Sequence, residues 1–196
     1  MERRELEELH YITHIANVLS ILQNGLMSHS LAKKLPHKSV AMEEIQTRRA
    51  PKIVPNGFPL HNYVNLYFNA RNKMMYRIKD RHEELCVLRI DPKVLDIKGT
   101  VVSDRNAASG YARFYPSPDG LKELDRGLIF ATYWNHDEVS ETWRHGSIVC
   151  AEVLVPEKIA PDYILGAYFS CEETRRGLIA LHVGINIQLK PSLFFR

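Results

Sequence analysis

In Ser147-Ile-Val-Cys-Ala-Glu-Val-Leu-Val155, every residue from Ile148 onward is apolar except Glu152. The β-branched content and the closing Pro156 read as a buried strand. With side chains alternating between faces, Glu152 shares one face with Ile148, Cys150 and Leu154. A carboxylate there is costly unless it is hydrogen-bonded, charge-paired or facing a cleft. Two readings follow. One is an edge-strand Glu paired with a nearby arginine. The other is an unpaired cleft carboxylate that stabilises developing positive charge, in which case Glu152→Gln should leave stability nearly unchanged.

Upstream of this stretch, residues 9–15 read as a strand. Asn17 then caps a helix over residues 18–24, and Gly25 stops it. Residues 28–57, broken by Pro36, Pro51 and Pro55, read as a long loop with room for one short helix. Residues 63–68, 86–90 and 100–103 have strand composition, and Ser117-Pro118 looks like the cap and first residue of a helix. Downstream, residues 163–170 and 182–189 read as strands with a helical stretch, 171–181, between them. Val183, Ile185, Ile187 and Leu189 alternate cleanly in the last strand. No regular βαβ spacing occurs. The expectation is an α+β fold, a central mixed or largely antiparallel sheet flanked by short helices, in one domain over residues 1–196.

Composition narrows the function classes. No stretch approaches the ~20 apolar residues of a membrane span, and Met1-Glu-Arg-Arg-Glu-Leu-Glu-Glu8 is too polar for a signal peptide. Cys86, Cys150 and Cys171 are odd in number and widely spaced, which fits free thiols and a cytoplasmic protein. The net charge of +3 is unevenly spread: residues 33–81 carry eleven Lys or Arg against Glu43, Glu44 and Asp80. Such a basic segment suits a polyanionic partner, or is simply a solvated face. Dinucleotide-binding glycine motifs, a P-loop and a Gly-x-Ser-x-Gly elbow are all missing. His10 and His14 are four apart but lie on a strand without the His-Glu-x-x-His pattern, so no metal is expected.

Two further places stand out. Arg48-Arg49, after Ile45-Gln46, sits inside the basic segment, and the guanidinium fork suits pyrophosphate or base edges. His10-Tyr-Ile-Thr-His14 by itself is an ordinary half-buried strand. Together with Glu152 they form an ordered set. His10-Tyr-Ile-Thr-His-Ile-Ala-Asn17, Ile45-Gln-Thr-Arg-Arg49, Leu60-His-Asn-Tyr-Val-Asn-Leu-Tyr-Phe68 and Ala151-Glu-Val-Leu-Val155 resemble the DarT family, the toxins of DarT–DarG toxin–antitoxin systems. The resemblance runs from Leu9 to at least Val155 and takes in Asp104-Arg105 and Ala112-Arg113-Phe114.

This resemblance implies an ADP-ribosyltransferase (PARP-like) fold and the transfer of ADP-ribose from NAD⁺ to a base of single-stranded DNA, with nicotinamide released. Glu152 matches the family's catalytic glutamate and Arg49 its essential arginine, for which holding phosphates or polarising a base carbonyl suits a guanidinium better than accepting a proton. Tyr11, Ile12 and Thr13 match first-strand NAD⁺ contacts, with His10 and Asn17 beside them, and one of Tyr63, Tyr67 or Phe68 would stack on nicotinamide. Residues from about 30 to 54 would cover NAD⁺. Residues from about 106 to 151 would present DNA, contacted by Arg48, Arg71, Arg105, Asn106 and Arg113. Tyr11 and Asn106 stand where many or some members have His. Thymidine and guanosine are both targets among relatives, and a DarG-like macrodomain antitoxin is the implied partner. The alternatives are an ADP-ribosyltransferase acting on RNA or protein, and a non-catalytic basic nucleic-acid-binding module. Glu152 speaks against the module, because a buried strand acid has no use in phosphate binding.

Overall fold

The computed structural model describes residues 1–179 and 184–195. In chain order, β1 (Leu9–His14), α1 (Val18–Asn24), β2 (Leu26–Met27), α2 (His29–Ala32) and α3 (Glu43–Arg49) come first. Next are β3 (Tyr63–Tyr67), α4 (Lys73–Arg77), β4 (Leu85–Ile90), β5 (Val101–Ser103) and β6 (Phe114–Pro116). Then follow α5 (Arg126–Ile129), α6 (Val139–Ile148), β7 (Glu152–Pro156), β8 (Lys158–Ile159), β9 (Ile164–Phe169), α7 (Glu172–Ile179) and β10 (Asn186–Leu189). Eight strands form one mixed sheet in the order β10-β9-β4-β1-β3-β7-β5-β6, while β2 and β8 form a small ribbon. Among the described residues of the large sheet, β10–β9 is the one parallel pair.

Alternation along the strands separates two faces. Leu9, Val64, Leu66, Phe68, Leu88, Ile90, Val153 and Val155 pack on one face with Val18 of α1 and the Val94–Leu95 pair. Burying each such side chain contributes about 1.5–3 kcal/mol. The other face carries Ile12, Tyr67, Val87 and Tyr168 with Met75, Trp134 and Phe194, and a smaller group of Val54, Leu60, Tyr63, Ala107 and Leu154. Helix α1 ends at Gly25, with φ +82°, where a Cβ would lie 2.3 Å from the Ile159 carbonyl oxygen. Only glycine tolerates that turn, which lets Leu26–Met27 pair with β8.

Several expectations are corrected. Residues 147 and 148 end helix α6, and the strand begins only at Glu152, so Ile148 joins the core of the opposite face while Leu154 shares the face of Glu152. This helix has no apolar periodicity to mark it, because its buried positions include His145 and Gly146. Asn17 makes no side-chain cap bond to α1. After Ser117, Pro118 occupies the cap position of a short 3₁₀ turn, Asp119–Glu123, rather than the first turn of an α-helix. The long loop holds two helices, α2 and α3. The last strand spans Asn186–Leu189, and the expected residues 182–183 lie outside the described residues.

Candidate active site

Strands β1 and β3 are neighbours but register at one pair alone, His10 with Tyr67. On its other side β1 pairs with β4 over six residues, and β3 pairs with β7 over five. Beyond the single pair the two strands diverge, so backbone donors and acceptors in mid-sheet are left for another partner. A cleft of about 950 Å³ opens there, lined by Tyr11 and Ile12 from one strand and Tyr63, Asn65 and Tyr67 from the other. His10, Tyr67, Glu152 and Ser103 stand in one register row across β1, β3, β7 and β5.

Helix α3 roofs the cleft. Met42, Ile45, Gln46 and Arg49 recur at the spacing of one helical face, and all four line the cavity. Arg49 is 5% exposed and Glu152 0%. The Arg49 guanidinium donates to both Glu152 oxygens at 3.0 and 3.1 Å, and the Ala107 N–H donates to Oε1 at 2.9 Å. Ser103 Oγ accepts from the Glu152 N–H at 3.3 Å and donates to the Arg105 carbonyl at 2.7 Å. Glu152 is therefore on a central strand and paired, which corrects the expectation of an unpaired carboxylate. Arg49 lines the cleft and Glu152 meets it through that arginine.

The opposite wall is the loop of residues 105–111 and one face of α6. Asn106 N–H donates to the Ser147 carbonyl at 2.9 Å, joining loop to helix, and Lys52 donates to the Ser109 carbonyl. Ser140, Trp143, Arg144 and Ser147 of α6 face the cavity at helical spacing.

Residues 10–195 match the family described as "ssDNA thymidine ADP-ribosyltransferase, DarT". The chain belongs to the DarT family. It is 29% identical over 197 residues to a DNA ADP-ribosyl transferase–DNA ADP-ribosyl glycohydrolase fusion protein of Thermosipho africanus, covering 96% of this chain and 49% of that one. It is 34% identical over 137 residues to a DNA ADP-ribosyl transferase of Thermus aquaticus, covering 64% and 62%. The chain thus spans between about half and two thirds of the length of these curated relatives. Thermosipho africanus DarTG in complex with ADP-ribose superposes with TM-score 0.82 at 28% identity, covering 96% of this chain and 51% of that one. Thermus sp. 2.9 DarT in complex with ADP-ribosylated ssDNA superposes with TM-score 0.84 at 24% identity, covering 97% of each chain. The fold is that of the DarT ADP-ribosyltransferases.

Not every expected DarT-family site residue reaches the cleft. Tyr11, Ile12, Tyr67, Arg48, Arg49, Arg105 and Asn106 line it. Phe68 does not: one residue beyond Tyr67, it points into the opposite core at 0% exposure, which corrects its expected place against nicotinamide. His10 is held outside by the Phe68 carbonyl and Glu8, with both ring nitrogens facing acceptors. Burial alone would raise the Glu8 carboxyl, but hydrogen bonds from His10, Arg89 and Tyr168 outweigh it and hold the group at about 2. Thr13 accepts from the Asn17 amide, and Asn17 clamps the Lys38 backbone at 2.8 and 2.9 Å, so this pair holds the covering segment rather than facing the cavity. Arg71 is committed to the Ser192 and Phe194 carbonyls and lies 3.9 Å over the Phe195 ring, which removes it from the expected DNA contacts. Arg113 is exposed and lies off the cleft.

Other residues complete the site without having been singled out. Among the described residues Gln46 Oε1 and His61 Nε2 are buried polar atoms without a hydrogen-bond partner, and both residues line the cleft. Gln46 stands three residues before Arg49, a helical spacing that points both side chains the same way. His29 stacks on His61 with ring centroids 4.3 Å apart. Among the described residues no group of three or more His, Cys, Asp or Glu is placed to hold a metal ion.

The histidine pair predicts a pH response. Partial desolvation lowers both rings below their ordinary 6.5, with Lys33, His37 and Arg49 adding to it at the exposed His29, and His29 and Arg49 adding to it at His61 against a raising bond to the Gln46 backbone. The unfolded chain therefore binds more protons than the folded one once pH drops below 6.5. The stability due to the neutral pair is full above that value and is lost as pH falls through the folded values. Melting temperature should fall between about pH 7 and about pH 5. In the His29→Asn/His61→Asn variant the slope should flatten, leaving the contribution of His14, which is lowered in the same direction. An unchanged slope in that variant would rule out the pair as its source.

Proposed function

We propose that this chain transfers ADP-ribose from NAD⁺ to thymidine in single-stranded DNA, with release of nicotinamide. The observation that carries this is the buried Arg49–Glu152 pair beneath α3, at the point where β1 and β3 part. Support comes from the family description, which names thymidine, and from the Thermus sp. 2.9 relative, whose structures hold NAD⁺ and ADP-ribosylated ssDNA.

The cleft fits such a dinucleotide. Its volume, the unpaired edges of β1 and β3, and the unpartnered Gln46 and His61 atoms suit a long polar molecule with apolar rings. Bound NAD⁺ supplies the ADP-ribosyl group. Glu152 would hold a ribose hydroxyl and offset positive charge developing on the sugar. Arg49 would turn from Glu152 toward the phosphates or the target base, exchanging one anion for another. Tyr67 would pack against the nicotinamide ring. Arg48, Arg105 and Asn106, which line the cleft, would contact the DNA, as would the exposed Arg113 outside it. No metal enters this scheme.

The reading extends to the whole of residues 1–196 as one ADP-ribosyltransferase domain, acting in the cytoplasm as a toxin that blocks DNA replication. Its partner would be a DarG-like macrodomain antitoxin that removes ADP-ribose, in keeping with the transferase–glycohydrolase fusion of the Thermosipho relative. Among the described residues no helix is long and apolar enough to cross a membrane. The test is labelled NAD⁺ offered with single-stranded DNA, the same sequence as duplex, RNA and protein. Label should go to single-stranded DNA and hardly to duplex, since a duplex base must first be unpaired at a cost of a few kcal/mol. Equal labelling of duplex, or label on RNA or protein alone, would overturn the substrate assignment.

A further inference from the structure

Two aromatic side chains at the cleft have no role in the site as described. Tyr111 is 82% exposed and Trp143 68% exposed, yet both line the cavity. Large aromatic faces left in water beside a cleft mark a surface that something covers. The second tryptophan shows the ordinary alternative: Trp134 is 9% exposed and packs edge-on against Phe195.

Neither residue hangs on a loose segment. Trp143 projects from the cleft-facing stripe of α6, between Ser140 and Ser147. Tyr111 ends a loop whose Ser109 Oγ accepts from the Tyr111 N–H at 3.2 Å and whose Asn106 is bonded to α6. Seven lysines and arginines line the same cavity. Arg48, Arg49, Arg105 and Arg144 are paired with Glu44, Glu152, Asp104 and Glu141, while Lys38, Lys73 and Arg77 enter no ion pair among the described residues. Exposed aromatic faces among such cations are the composition that engages single-stranded nucleic acid, rings for bases and cations for phosphates.

We infer that Tyr111 and Trp143 stack on the bases flanking the modified one and hold the strand across the cleft mouth. This rests on the single-stranded DNA reading above and adds where the neighbouring nucleotides lie. Stacking on a π-face is indifferent to base identity, so these contacts set affinity and register, while the groups inside the cleft choose the base.

The chain has two tryptophans, and the exposed Trp143 is the one a base can reach from solvent, so its signal is the part of the emission that differs between wild type and Trp143→Ala. Titrating a single-stranded oligothymidylate of about eight nucleotides into the full chain should quench that emission in wild type. The quench should vanish in Trp143→Ala. By anisotropy of a labelled oligomer, Trp143→Ala and Tyr111→Ala should each lose about ten-fold or more in affinity, and Trp143→Phe should recover most of it. Removing both flanking bases from the oligomer should cost wild type more than either alanine substitution alone, and cost the Tyr111→Ala/Trp143→Ala double variant little. Wild-type affinity in both alanine variants, with DNA still modified, would overturn the stacking assignment alone. Failure of wild type to bind the oligomer would overturn it together with the substrate reading.

Discussion

Glu152→Gln should lose ADP-ribose transfer by roughly 10²-fold or more, the scale seen when a preorganised electrostatic group is removed from a transition state. The amide keeps the shape and one acceptor oxygen, which can still receive the Ala107 N–H that now bonds Oε1 at 2.9 Å. It loses the charge. The Arg49 guanidinium, 5% exposed and donating at 3.0 Å, is then left without its anion. Taking one partner from a buried pair costs about 3–5 kcal/mol, and the retained amide bonds place Glu152→Gln below that range. Melting temperature should therefore drop measurably in the ligand-free protein. Comparison of transfer rates at matched folded fraction separates the two effects. A folded Glu152→Gln protein that modifies single-stranded DNA at near wild-type rate would rule out the catalytic role. An unchanged melting temperature would show that the pair contributes nothing to stability.

Arg49→Ala and Arg48→Ala should differ sharply although the residues are adjacent. Arg49→Ala leaves the fully buried Glu152 carboxylate with the Ala107 N–H as its remaining donor. Stability should fall by about 3–5 kcal/mol and transfer by orders of magnitude. Arg48 is exposed and paired along its own helix with Glu44, an interaction worth about 0.3–0.5 kcal/mol. Its loss should leave melting unchanged and weaken oligonucleotide binding, with a shallower dependence on salt. The checks are thermal melting, transfer rate, and binding measured across a salt series. Reversal of the two phenotypes would show that the wrong arginine has been placed in the cleft.

Much of this architecture can be read along the chain because local chemistry and tertiary demand agree. Strands β1, β3 and β4 are short β-branched or aromatic runs, and Gly25 is the residue a left-handed helix end requires. Helix α6 has no such local signal. Its inward positions include His145 and Gly146, with His145 Nε2 donating to the Leu128 carbonyl and Nδ1 facing His136 Nε2, so the helix carries no apolar stripe. The run Ser147–Val155, apolar from Ile148 but for Glu152, reads as one strand, yet its first five residues precede β7. Helix α3 had its signal, Met42, Ile45, Gln46 and Arg49 at 3.6-residue spacing, but the prolines on either side made the segment read as loop.

The site divides in the same way. Local sequence was enough to single out Glu152, since an acid in an apolar strand is anomalous whatever surrounds it, and to mark Arg49 within an ordered set of family residues. Which group answers that acid is a matter of contacts 103 and 45 residues apart, to Arg49 and to the Ala107 N–H. Strand alternation likewise sends Tyr67 to the cleft and Phe68 to the opposite core, but the face that holds the cleft is chosen by where β1 and β3 separate. The charged residues were hardest to place from the chain alone. Arg49, Arg71 and Arg113 have the same side chain, and one lies in the cleft, one on carbonyls near residue 194, and one in solvent. A guanidinium goes wherever the fold presents acceptors within its reach, and those acceptors come from distant segments that assemble only when the sheet forms.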